Sequence, residues 1–117
     1  MLEINPESVE DKLIKKFLKF NPDVQLAAII STKGFPIAIN ITQDIDKELI
    51  SPMFAAIHSV SEMFMNECFN GSLNHVLLEA KKNIVFVRKF RSDRLLCLIS
   101  DNKDFLKFNF PKDLEKH

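Results

Sequence analysis

Residues 95–99 read Leu-Leu-Cys-Leu-Ile, with turn formers on both sides. Five residues are too few for a globular helix, and the run has no polar face to give to water. Such a run is a strand buried on both faces. It belongs at the centre of a sheet that is covered above and below. The rest of the chain has to supply neighbouring strands and two covering layers.

Four neighbours can be read. Residues 24–30 are almost wholly apolar and rich in β-branched side chains. A turn, Ser31-Thr32-Lys33-Gly34, follows, with glycine where a positive φ is needed. Phe35, Ile37, Ile39 and Ile41 then alternate with Pro36, Ala38, Asn40 and Thr42, a period of two with one buried face. Pro36 cannot donate to a ladder, so this strand is expected at a sheet edge. Residues 73–79 and 84–90 are the other two strands, separated by Lys81-Lys82-Asn83. Arg91-Ser92-Asp93 leads into the central run.

Two helices are expected as the covering layers. The first spans residues 6–20, with Asn5 as cap, Pro6 in the first turn and Val9, Leu13, Phe17 and Phe20 at helical spacing. Asn21-Pro22 stops it. The second lies within residues 46–69, a single helix with an irregular first turn at Pro52, ended by Gly71. At 100° per residue its apolar positions, among them Leu49, Met53, Phe54, Ile57, Val60, Met63 and Phe64, cover an arc of roughly 200°. A helix lying on one sheet needs little more than about 100°. The excess predicts a second packing partner, either the C-terminal segment of the same chain or a helix from a second chain. Ser51, Ala55, His58, Ser59, Glu62 and Asn66 fall on the remaining, polar side, which is expected to face solvent or a partner. The tail holds Phe105, Leu106, Phe108 and Phe110 and is expected to form a short helix, with residues 109–117 frayed.

Composition excludes several classes of function. Sixteen basic residues balance sixteen acidic ones, which argues against a broad nucleic-acid or anionic-membrane surface. No apolar run approaches the roughly 20 residues of a membrane span, and the polar, acidic N-terminus is unlike a secretory signal. Cys68 and Cys97 sit among apolar neighbours and are expected to be buried free thiols in a reducing, cytoplasmic setting. His58, His75 and His117 have no metal-ligand spacing, and there is no phosphate loop, nucleophile elbow or Cys–His pair. Asp44 and Asp46 are read as helix caps. No catalytic residue, metal or cofactor is expected. The basic run at residues 88–94 is a solvated hairpin or an anionic partner surface.

The order helix–strand–strand–helix–strand–strand–strand–helix, with the segments AAIISTKGFPIA at 27–38 and Ala55-Ala56-Ile57, resembles the Roadblock (dynein light chain type) domain family. The resemblance covers about residues 13–105. It implies an α+β, Roadblock/longin-like three-layer sandwich around a five-stranded antiparallel sheet, as one domain over residues 1–117 with its core at about 6–108. It further implies a non-catalytic adaptor, paired with itself or with another Roadblock domain, that binds or regulates a small Ras-like GTPase or a related complex. Long helices would pair and third strands would join. The implied dimer contacts are Met53, Ile57, Val60, Phe64, Leu73, His75 and Leu77. The implied partner contacts are His58, Ser59, Glu62 and Asn66. Two alternatives stand beside this reading. A longin-like trafficking subunit would begin with a strand. A small-molecule sensor would need a roomy cavity between sheet and helix.

Overall fold

The computed structural model describes residues 8–42 and 44–102. Helix α1 is Val9–Phe20, followed by strands β1 (Val24–Ser31) and β2 (Pro36–Ile41). Helix α2 is Lys47–Phe69, followed by β3 (Val76–Glu79), β4 (Ile84–Arg91) and β5 (Arg94–Ser100). The five strands form one antiparallel sheet in the order β2-β1-β5-β4-β3. The Leu-Leu-Cys-Leu-Ile run is therefore central, as its uniform hydrophobicity requires, and Pro36 starts an edge strand.

The pleat divides β5 between two cores. Leu96 and Leu98 pack with Ala27, Ile29 and Phe86 under Leu13, Ile14 and Phe17 of α1. Leu95 and Cys97 pack with Leu26, Ile30 and Val87 under Phe54 and Ala55 of α2. The two helices thus cover opposite faces. Leu95, Leu96 and Leu98 are essentially fully buried. Removing each from water contributes about 1.5–3 kcal/mol.

Local chemistry sets the element ends. Ser8 caps α1 in a reciprocal box: its Oγ accepts from Asp11 N at 3.0 Å, and Asp11 Oδ2 accepts from Ser8 N at 3.4 Å. The described helix therefore starts after Ser8; the expected cap at Asn5 and start at Pro6 lie outside the described residues. Asp46 Oδ1 accepts from Glu48 N at 2.9 Å and caps α2. Pro52 lies inside α2 yet the helix runs through it. Directly before the proline, Ser51 Oγ donates one turn back to Lys47 O at 2.8 Å. Asn70, in the left-handed conformation at φ 52°, closes α2, and Gly71 N donates back to Met65 O. The expected αL glycine is therefore an asparagine, a residue that tolerates that region.

Gly34 does require its missing side chain. Its φ is +93°, and a Cβ there would sit 2.9 Å from Pro52 Cα. The β1–β2 turn is pressed against α2 at the proline. It is also tied to the β4–β5 turn, because Thr32 N donates to Asp93 O at 3.1 Å.

Several expectations need correction. The third strand starts at Val76, so Leu73 and His75 precede the ladder. Phe35 is 66% exposed and outside β2, because the register slips between Ile29 and Ile30 as the turn closes. Cys68 is exposed, and only Cys97 is a buried thiol. The polar side expected for α2 is partly its sheet-facing side. Ser51, Ala55 and His58 are buried, while Leu49, Met53, Val60, Met63 and Phe64 are exposed. The expected final helix and frayed tail lie outside the described residues.

Candidate functional site

The rotation of α2 about its axis defines the surface. Placed at 100° per residue, Phe54 and His58 point at the sheet, with Ile50 and Ile57 flanking them. Ser51 and Ala55 complete the buried side, and the Gly34 turn meets the helix at Pro52. The centre of the apolar arc is left on the outside. Met53 is 53% exposed, Val60 64% and Phe64 56%. Beyond Glu62 every residue of α2 is exposed. A 23-residue helix is about 34 Å long, whereas strands of 7–8 residues span about 25 Å. The last turns of α2 therefore overhang the sheet, with the rings of Phe64 and Phe69 6.1 Å apart. Single exposed apolar residues are ordinary, but a continuous helical stripe of them marks an interaction surface.

The second feature is the outer edge of β3. Among the described residues the strand pairs only with β4, and Leu77 and Leu78 on it are both exposed. His75, just before it, stacks on Phe86 with ring centroids 5.3 Å apart. The expected dimer contacts thus separate. Met53, Val60, Phe64 and Leu77 are exposed, and His75 lies exposed beside the β3 edge. Ile57 and Leu73 are half-buried and pack inward against the α2-side core.

The third feature is a polar cleft of about 240 Å³ where α2 crosses the two hairpin turns. Thr32, His58, Ser59, Glu62, Lys89 and Ser92 line it. The expected partner contacts separate here as well. Ser59 and Asn66 are exposed, Glu62 is half-buried, and His58 is only 5% exposed. Burial pushes the His58 imidazole below its usual pKa; the Glu62 carboxylate opposes this and the Lys89 ammonium adds to it. Lys89 Nζ lies 3.8 Å from Glu62 Oε2, an ion pair from β4 to α2. Lys89 belongs to the basic run at residues 88–94, read from sequence as a solvated hairpin or a partner surface, and is not grouped with the α2 contacts. Its signal was there: Val85, Val87 and Lys89 share one face by strand alternation, so Lys89 had to lie on the α2 side. Burial also raises the Cys97 thiol well above its normal value, leaving it inert at neutral pH.

Among the described residues, no cluster of three or more His, Cys, Asp or Glu side chains is placed to hold a metal ion. No helix among them is long and apolar enough to cross a membrane.

The architecture has known counterparts. The fold is similar to a Roadblock/LC7 domain from Streptomyces avermitilis, with a TM-score of 0.82 at 15% identity over 93% of each chain. Myxococcus xanthus MglB gives a TM-score of 0.80 at 15% identity, over 96% of each chain. The gliding protein MglB of Thermus thermophilus gives 0.77 at 12% identity, over 95% of this chain and 92% of that one. At such identities the likeness is one of fold. A search of curated proteins by sequence found no match. The family model for the Roadblock/LC7 domain matches residues 10–100. The chain belongs to the Roadblock/LC7 domain family.

Proposed function

We propose that this protein is a non-catalytic adaptor of the cytoplasm, a single domain over residues 1–117 that works as a dimer. Its partner subunit is a second copy or another Roadblock domain, and its client is a small Ras-like GTPase or a protein of a related complex. The observation that carries this reading is the outward apolar stripe of α2, Met53, Val60 and Phe64 with Leu49 and Met63. A helix amphipathic for a single sheet would not turn its most apolar side to water. The β3 edge supports the same reading, because an open ladder is a ready template for another strand. Family membership supplies the class of client. Ser59, Glu62 and Asn66, on the α2 side adjoining the stripe, are assigned to it, with His58 behind them. MglB from Myxococcus xanthus and Thermus thermophilus shares the fold, and one MglB structure is described as a tetrameric arrangement.

Light scattering tests the dimer. The expected mass is about twice the 13.5 kDa of the chain. Replacing both Val60 and Phe64 with Glu should give a folded monomer. A wild-type monomer at high concentration, with no heteromeric Roadblock partner recovered, refutes the dimer. Pull-down with nucleotide-loaded small GTPases from the same source tests the client.

A further inference from the structure

The cleft at His58 is chemically unlike the stripe beside it. Its lining is rich in hydrogen-bond donors: the hydroxyls of Thr32, Ser59 and Ser92, the ammonium of Lys89 and the imidazole of His58. Its one carboxylate, Glu62, stands 3.8 Å from Lys89, too long for a tight pair, and both side chains remain partly exposed. His58 is only 5% exposed, its ring has no hydrogen-bond partner among the described residues, and no fully buried side-chain polar atom among them lacks one, so the polar atoms of the imidazole open onto the cleft. A space of about 240 Å³ is ample for a carboxylate or phosphate group together with bridging water.

We propose that this cleft binds an oxyanion, a carboxylate or phosphate group, held by His58 and Lys89 and completed by the hydroxyls of Thr32 and Ser92. The proposal deepens the reading of Ser59 and Glu62 as partner contacts. It rests on that reading only for the source of the anion, which is either an acidic side chain of a docked protein or a free ion.

Charge accounting gives the site a pH dependence. The groups facing His58 are Glu62 from α2 itself and Lys89 from β4; the facing residues of the two turns, Thr32 and Ser92, are uncharged. Lys89 and Glu62 cancel, so with neutral His58 the cleft has no net charge. An entering anion is balanced only if His58 takes up a proton. Burial disfavours that proton in the empty cleft, and a bound anion restores it. Binding therefore consumes a proton and is tighter at pH about 6 than at pH about 8.

The experiment is an NMR titration of the full chain with acetate, with inorganic phosphate and with a short Glu-containing peptide, at both pH values. The expected result is saturable shifts at Thr32, His58, Lys89 and Ser92, with the His58 titration midpoint moved upward. Saturation by acetate and the peptide assigns the site to acidic side chains; saturation by phosphate alone assigns a free ion. Lys89→Gln, a substitution at an exposed side chain, should weaken binding about tenfold while the amide spectrum stays dispersed. His58→Gln should remove the pH dependence. The proposal is overturned by no saturable shift at tens of millimolar anion, by undiminished binding in Lys89→Gln, or by affinity that does not fall as pH rises. Loss of GTPase binding in pull-downs bears on the client alone, because the free-ion titration needs no partner.

Discussion

Replacing Gly34 with Ala should be among the most damaging single-methyl additions this chain can take. Two costs combine. At φ +93° an L residue is strained, and occupying the left-handed region costs about 1–2 kcal/mol. The added Cβ would also stand 2.9 Å from Pro52 Cα and 3.3 Å from Pro52 Cβ. Carbon atoms normally sit about 3.5–4.0 Å apart. The obstacle is backbone inside a helix, so no side-chain rotation relieves it. The turn has to back away, and it is tethered by the Thr32–Asp93 bond. Overpacking of this kind costs about 1–3 kcal/mol. The expected loss is thus about 2–5 kcal/mol, a large share of the roughly 5–15 kcal/mol of a typical domain. Urea unfolding measures it, with an unchanged m-value marking a change in stability alone. Gly71→Ala is the internal control. Its φ lies outside the left-handed region and its Cβ would meet only Phe69 O at 3.8 Å, so it should change stability by less than about 1 kcal/mol. A Gly34→Ala loss no larger than the Gly71→Ala loss would refute the close contact between turn and helix.

Other outcomes follow from the same geometry. The His58 pKa is lowered on folding, so the unfolded chain binds the proton more readily. Stability should be at full strength above about pH 6.5 and decline as pH falls toward the lowered folded value, a slope that calorimetry should find flattened in His58→Gln. Asp46→Ala removes the α2 cap and should cost about 1 kcal/mol in urea unfolding. The Lys89–Glu62 pair is half-exposed and long, so a double-mutant cycle should return less than about 1 kcal/mol.

Much of this architecture was legible from residue pattern. Five strands, the central place of the Leu-Leu-Cys-Leu-Ile run and the edge place of Pro36 follow from period-two alternation and from one missing N–H. Continuity of α2 through Pro52 was also readable, because the proline stands near the start of a long helical pattern. The rotation of α2 was only half readable. The width of its apolar arc is a property of sequence, but which part of the arc meets the sheet depends on shape. Ser51 and Ala55 go inward as small side chains, Ser51 with its hydroxyl satisfied by Lys47 O, and His58 goes inward where it lines a polar cleft. Side-chain polarity points the other way for Ser51 and His58. The same limit applies to His75 and Leu73: their residue types suit a strand, but a strand exists only where a neighbour supplies a ladder, and β4 meets the chain from Val76 onward.

The two margins of the sheet are unequal. One begins with Pro36, which has no N–H to offer, and its register is broken beside the turn. The other, β3, carries no proline and presents Leu77 and Leu78. A strand-to-strand union between copies is therefore self-terminating. Two β3 margins can meet about a twofold axis, and the merged sheet then ends at both sides in a blunted β2. Stoichiometry would be written into the margins themselves, and a fibre could not grow by the same contact however concentrated the protein became.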